Sequence, residues 1–334
     1  MALAWLADRW ARARGGRVIC LIVDHGLRPE AAAQAAQTTA HLATHGIATE
    51  ILRLENLLPG PDLAARARAG RYGLLEAACA RLGVLHLLVA HHAADQAETI
   101  AMRMLAGSGS DGLAAMAASV ARNRVSLLRP LLAVSPAALR AMLGAIGWPW
   151  IEDPSNRDPR WQRALLRGLR RDAEGRGPAT RALAVAARCR GRDRAIRAGA
   201  IADELARKVA FFPEGYAVLA PGPISVAALR AVLRVISGRQ YAPSASRILH
   251  IAAAPRPCTI AGVRLMPAGR HGSIGALLVV REPAAMLDCV GQIWDGRFRM
   301  ICIAQPLWAG LPFAVRRTLP LSRGAVFEPA NPAT

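Results

Sequence analysis

Apolar residues in the first half of the chain fall into short, β-branched runs. Longer stretches between them carry an apolar residue every three or four positions. RVICLIV (Arg17–Val23), ATEILRL (Ala48–Leu54) and VLHLLVA (Val84–Ala90) have the length and composition of buried strands. Met1–Arg14, Ala31–Gly46, Ala64–Leu82 and Ala94–Leu105 have helical periodicity. Asp62 stands at the N-cap position of the third of these helices, and Gly107–Gly109 stands where the fourth should stop. The alternation predicts an α/β fold with a doubly wound, Rossmann-like parallel sheet and helices on both faces. A helix precedes the first strand, which is compatible with a missing first strand. In such sheets ligands sit beyond the C-terminal strand ends. Here those ends run into Asp24-His25-Gly26 and His91-His92.

Further on, Ser135 and Pro136 start a helix that reaches Ile146, and Gly147–Trp161 is a turn-rich loop. Helices are expected over Arg160–Arg171 and Thr180–Lys208, with a break at Gly175, Gly177 and Pro178. Beyond Phe211 the pattern becomes one helix (Ile224–Ile236) and short strand-like runs: YAVLAP, CTIAGVRLMP, IGALLVVRE and FRMICIA. The expected organisation is a nucleotide-binding domain over 1–155 and a basic helical segment over 156–210. A smaller α+β domain over 211–325 and a tail over 326–334 follow. A chain of 334 residues suits two domains better than one, since single cores seldom grow past roughly 250 residues.

Composition changes this picture in two respects. Aromatic residues are only 4% against 53% hydrophobic, so the core must be built from Ala, Leu, Val and Ile. The formal net charge is +20, which favours a polyanionic partner. All but one of the 43 basic residues are arginine, so GC-rich coding is an alternative source of charge. The distribution favours nucleic acid: Arg157–Lys208 holds 15 basic and 6 acidic residues, a net of +9. No apolar run reaches the roughly 18 residues of a membrane span. The N-terminal segment, with Asp8 and its arginines, reads as an amphipathic helix and not as a signal peptide. Six cysteines without a CxxC pair argue against a disulfide framework and against zinc or iron–sulfur sites, and make a cytoplasmic location the expectation.

Several segments carry chemistry. In VDHGLR (Val23–Arg28), an Asp-His pair at a strand end can hold a ribose, a base edge or a metal; taken alone, a helix-entry turn with Asp24 capping and Gly26 turning the chain is the plainer reading. In HHAADQAET, His91, Asp95 and Glu98 fall on one helical face, able to bind Mg²⁺ or orient a base. A capped, solvated helix start is the plainer reading. GSGSDG (Gly107–Gly112) can bring backbone N–H groups to an anion, or simply end a helix. ARAGRY (Ala67–Tyr72) puts Arg68 and Arg71 on a helix, and EDPSN (Glu152–Asn156) is a polar turn.

The order is more specific than any one segment. VDHGLR, ARAGRY, HHAADQAET, GSGSDGL, LLRPLL and EDPSNRDPR succeed one another over Val23–Arg160. In this order they resemble the tRNA(Ile)-lysidine synthetase family of the PP-loop ATP pyrophosphatase superfamily. GVRL, LLVVRE and WDGRF are more loosely similar to that family's C-terminal region. The resemblance implies activation of C2 of the wobble cytidine of tRNA(Ile), which has a CAU anticodon, by ATP with Mg²⁺. The ε-amine of free L-lysine then attacks C2, releasing AMP and giving lysidine. It implies catalytic roles for Asp24, His25, Arg71, His91, Asp95 and Glu98, and ATP contacts from Asp24, Arg28, Gly107 and Gly109. Arg68, Arg129, Asp153, Asn156, Arg163 and Arg167 are the implied substrate and tRNA contacts. No protein metal ligand is implied, and the family suggests a monomer or a homodimer.

Three departures from the family pattern shape the expectation. The phosphate loop, SGGxDS, should directly precede the opening helix, but the chain begins at Met1-Ala2-Leu3-Ala4. Either the start lies upstream or the copy is decayed, and this polypeptide is expected to turn over ATP slowly. Ala94 stands where the family's HHxDDQAET has its first Asp, and Arg163-Ala164-Leu165 stands where the family often has Arg-Asn-Arg. Rival readings are a PP-loop tRNA thiolation enzyme, a non-catalytic tRNA-binding homologue, and a metal hydrolase built on His91–Glu98.

Overall fold

The computed structural model describes residues 1–26, 30–55, 57, 60, 62–122, 125–151, 166, 168, 172, 174–239, 241–287, 293–295, 298–302, 311–319 and 325–329. The chain divides into two compact units, Met1–Arg194 and Ala195–Thr334.

The first unit alternates helices and strands: α1 (Ala2–Arg12), β1 (Ile19–Asp24), α2 (Glu30–Thr44), β2 (Ala48–Arg53), α3 (Leu63–Arg81), β3 (His86–Leu88) and α4 (Ala93–Leu105). The short α5 (Ser110–Leu113), β4 (Ser119–Ala121), β5 (Ser126–Leu128) and α6 (Pro136–Ala145) follow. β1 and β2 pair in parallel, with Ile19 opposite Ala48 and Asp24 opposite Arg53. β3 pairs in parallel with β5, and β4 lies antiparallel on the other edge of β5. The expected parallel pairing is present, but it forms two sheets, β1-β2 and β3-β5-β4, and not one. Among the described residues β1 and β3 each have a strand partner on one edge only.

Side-chain packing supplies the continuity that backbone pairing does not. Tyr72, Leu75 and Cys79 of α3 form one buried cluster with Leu87, Val89, Val125 and Leu127, and Leu21, Val23 and Leu52 pack against it. Both sheets therefore share one core. A second cluster joins Ala2 of α1, Leu42 of α2, Ile47, Leu143 of α6 and Trp148. Asp62 is the N-cap of α3, but at φ 55 and without a side-chain hydrogen bond to the helix. A reciprocal capping box is instead found at α4.

A helix of 31 residues, α7 (Pro178–Lys208), covers the expected Thr180–Lys208. Thr180 and Ala187 are its buried residues, and Arg181, Arg188, Arg190, Arg192, Arg197 and Arg207 are exposed. The second unit carries a five-stranded sheet of order β6-β7-β10-β9-β8. Its strands are β6 (Val209–Phe212), β7 (Tyr216–Leu219), β8 (Cys258–Ile260), β9 (Val263–Pro267) and β10 (Leu277–Arg281). Its interior pairings are antiparallel. Helices α8 (Val226–Ser237) and α9 (Ala245–Ala253) cover one face. Leu229, Val232, Leu233 and Ile248 pack there on Leu219, Leu265 and Val279. The opposite face presents Tyr216, Leu278 and Val280 to Val315 and Leu319. Val315 belongs to α10 (Phe313–Arg316). β11 (Ile293–Trp294), β12 (Phe298–Cys302) and β13 (Ala325–Pro329) form a separate antiparallel sheet. Among the described residues no helix is long and apolar enough to cross a membrane.

Candidate active site

The shared core reaches the ends of both β1 and β3. Val23 and Val89 belong to the same apolar cluster, and His25 and His91 each lie two residues beyond them. β1 ends at Asp24, whose Oδ1 accepts the Gly26 N–H at 2.9 Å, while Gly26 takes φ +63. This Asx-type turn fixes the chain as it leaves the strand. The Asp24 carbonyl accepts the Leu54 N–H at 2.8 Å, tying the ends of β1 and β2 together.

The turn presents His25 with its Nδ1 buried and without a hydrogen-bond partner. Burial lowers the His25 pKa, the Arg71 guanidinium lowers it further, and Asp24 opposes both. ARAGRY is thus brought to VDHGLR. Its glycine explains the approach: a Cβ on Gly70 would lie 2.7 Å from Leu54 Cδ1. A larger residue there would push the Leu54 side chain aside as α3 packs against the end of β2. Two residues on, Tyr72 is buried beneath the guanidinium groups of Arg68 (5.3 Å) and Arg122 (5.0 Å). Arg122 is also ion-paired with Glu76. Arg68, expected to reach substrate, therefore lies over an aromatic ring in this structure.

The start of α4 is capped as the plainer reading anticipated, but it is buried, not solvated. His92 is the N-cap; its N–H donates to Asp95 Oδ2 at 2.9 Å, and its Nδ1 accepts from Asp95 N–H at 3.4 Å. This is a capping box with His in the place of the usual Ser or Thr. Ala94 is 7% exposed and Glu98 0%. A carboxylate with no solvent contact is costly unless it serves packing, hydrogen bonding or chemistry. Gln96, which motif spacing does not single out, joins α4 to the backbone of Met116. A glutamine inside a buried helical face was the available signal.

Arg129 follows β5 and is 7% exposed. Its Nη1 donates to the Ala117 carbonyl at 2.7 Å, while its Nε is buried without a hydrogen-bond partner. A buried guanidinium bonded to a neutral carbonyl keeps capacity for an anion. Gly107 ends α4 at φ +62, and its N–H bonds to the Met104 carbonyl at 3.0 Å. Gly109 is the N-cap of α5 at φ −67. Arg194 of α7 donates to the carbonyls of Asp111 and Ala115, at 3.3 and 3.1 Å, and so closes the end of this Gly-rich segment. Arg28, Asp153, Asn156, Arg163 and Arg167 lie outside the described residues.

Residues 1–170 match the PP-loop domain family. Curated relatives named tRNA(Ile)-lysidine synthase share long segments with the chain. That of Methylobacterium nodulans is 37% identical over 287 residues, covering 80% of this chain and 83% of its own length. The chain belongs to the tRNA(Ile)-lysidine synthase family. The relative from Rhodopseudomonas palustris is 46% identical over 171 residues, 51% of this chain and 49% of its own. The one from Bradyrhizobium sp. is 41% identical over 208 residues, 62% and 57% respectively. The chain thus spans about half the length of these two synthases. Among solved structures, the U34-tRNA thiolase NcsA from Methanococcus maripaludis aligns with TM-score 0.47 at 15% identity, over 59% of this chain and 67% of that one.

Proposed function

We propose that the chain carries the ATP-dependent ligation of lysine to C2 of the wobble cytidine of a tRNA(Ile) with a CAU anticodon. The observation that supports this most directly is the placement of Arg71 beside His25 at the end of β1, in a member of the synthase family. ATP supplies the activating adenylyl group, turning a poor leaving oxygen into a good one.

The residues each have a task that their surroundings suit. A half-buried His25 with a lowered pKa stays neutral at pH 7 and can accept a proton from the lysine ε-amine. Arg71 and Arg129 offset negative charge on phosphate or on the amino acid carboxylate. Asp95 is held by the cap, with its side chain 15% exposed, and so reaches solvent-borne substrate. Among the described residues no three His, Cys, Asp or Glu side chains form a metal-binding group. A Mg²⁺ ion fits this donor set if the triphosphate oxygens hold it chiefly, with Asp24 or Asp95 adding a carboxylate. The net +9 of Arg157–Lys208 suits a grip on the tRNA backbone, and a cytoplasmic location suits such a substrate.

The test is lysine- and tRNA-dependent AMP release, measured for residues 1–334 and for the full in-frame gene product. Asp95→Asn is expected to abolish release while tRNA binding and melting temperature hold, because the Asn side-chain oxygen still accepts the His92 N–H. Unchanged release would remove Asp95 from the chemistry. tRNA binding without AMP release in either polypeptide would leave a non-catalytic tRNA-binding homologue, the reading that the buried Ala94 at an expected Asp position favours.

A further inference from the structure

Beyond α5, the consecutive carbonyls of residues 115–118 are each taken by a donor from elsewhere in the first unit. Arg194 of α7 donates through Nη1 to the Ala115 carbonyl at 3.1 Å and to the Asp111 carbonyl at 3.3 Å. Gln96 of α4 donates to the Met116 carbonyl and accepts the Met116 N–H, both at 2.9 Å. Arg129 donates through Nη1 to the Ala117 carbonyl at 2.7 Å, and its backbone N–H donates to the Ala118 carbonyl at 2.8 Å. One short junction thus joins the basic helix α7, the candidate site helix α4 and the buried arginine whose Nε can still meet an anion.

The junction depends on outside support. Ala115 holds φ +51, the left-handed region that a residue with a Cβ disfavours. α5 is a single turn of four residues, too short to hold the segment by itself. The support comes from one face of α7. Ala187, 1% exposed, Gly191 and Arg194 fall at i, i+4 and i+7. A Cβ on Gly191 would lie 3.9 Å from the carbonyl oxygen of Ala114, which is 0% exposed. Arg188 and Arg192 lie outside this set and are exposed, whereas Arg194 is half-buried. Capping of α5 would require only the Asp111 carbonyl; the bond to Ala115 lies beyond the helix end.

We infer that Arg194 is a positioning residue that couples RNA bound on α7 to the candidate site. It holds Ala115 in the left-handed region, and the junction in turn orients Gln96 and Arg129. Without its two bonds, Ala115 can relax and the carbonyls that hold Gln96 and Arg129 shift with it. The inference rests on the reading that a tRNA binds α7, but it needs neither ATP nor lysine.

Hydrogen exchange of the full chain, with and without a tRNA(Ile) transcript, tests it. In the parent, tRNA should slow exchange on α7 and also, by at least about 5-fold, at the amides of residues 113–118. In Arg194→Ala, tRNA binding and the slowing on α7 should remain, while the slowing at 113–118 disappears. Arg194→Lys, whose ammonium can still donate to both carbonyls, should restore it. In the full in-frame gene product, Arg194→Ala should lower kcat for AMP release roughly 10–100-fold with KM for tRNA unchanged, because misplaced groups cost chemistry and not binding. Melting curves must match the parent; if Arg194→Ala melts early, Arg194→Met, which keeps the apolar stem and loses both donors, replaces it. Slowing at 113–118 that persists without the guanidinium, or that is absent from the parent with tRNA bound, overturns the inference alone. Coupled exchange without AMP release would instead sink the ligase reading alone, and no tRNA binding by the parent would sink both.

Discussion

Gln96 and Met116 exchange two hydrogen bonds, Nε2 donating to the Met116 carbonyl and Oε1 accepting the Met116 N–H, both at 2.9 Å. The pair pins the buried start of α4 to the segment before β4. Gln96 is 5% exposed, so water cannot replace the missing partner. Gln96→Ala should therefore destabilise the first unit by about 2–4 kcal/mol, the sum of two buried groups left unsatisfied. Urea unfolding gives the number; a change below about 0.5 kcal/mol would show that the segment relaxes to solvent.

The second prediction concerns pH. Burial and then Arg71 lower the His25 pKa below its ordinary value. As pH falls below about 6.5 the unfolded chain takes up a proton that the folded chain does not, so stability declines from pH 7.5 toward pH 5.5. The penalty is complete only below the folded pKa. Arg71→Gln should raise the His25 pKa toward its ordinary value and shrink this decline. Titration of the His25 ring protons by NMR checks it, and an unmoved midpoint would mean that Arg71 is not electrostatically coupled to His25.

In the second unit, Arg281 and Asp295 form a buried ion pair, with side-chain exposures of 3% and 0% and Nε–Oδ2 at 2.8 Å. Asp295 also accepts the Leu287 N–H at 2.8 Å, and Arg281 Nη1 donates to the Gly262 carbonyl at 2.9 Å. Asp295→Ala strands a cation inside and should cost about 3–5 kcal/mol. Denaturant unfolding of the variant should show an early transition for this unit, while unfolding of the first unit is unchanged.

On α7, Arg188 and Arg192 are exposed one turn apart. If they neutralise tRNA phosphates, replacing both with Gln lowers the slope of log K against log salt by about 0.9 for each phosphate left without its arginine. Filter binding across a salt series measures it. An unchanged slope would assign the charge of this helix to composition alone.

How much of the fold and site is legible in the sequence follows from range. The strand–helix alternation of Arg17–Leu105 is readable because burial at strand and helix periods is a local property. α7 is readable because a break at Gly175–Pro178 and a cationic run leave little else. The split between β1 and β3 is not, since hydrophobic runs reveal strands but not their neighbours. The character of the α4 start is not either: acids after His91 and His92 suggest a solvated start, yet Glu98 is fully buried.

The sequence by itself determined the family, through an ordered series of short motifs, and the element types, through periodicity. It also determined the excess of positive charge. Tertiary structure alone decided that Arg71 acts on His25, that Arg129 is buried with an unpartnered Nε, and that Arg194 reaches the carbonyls of Asp111 and Ala115. The reason is physical. These relationships join residues tens of positions apart, and only the packing of α3 on β1, or of α7 on α5, sets the distances on which electrostatics and burial depend.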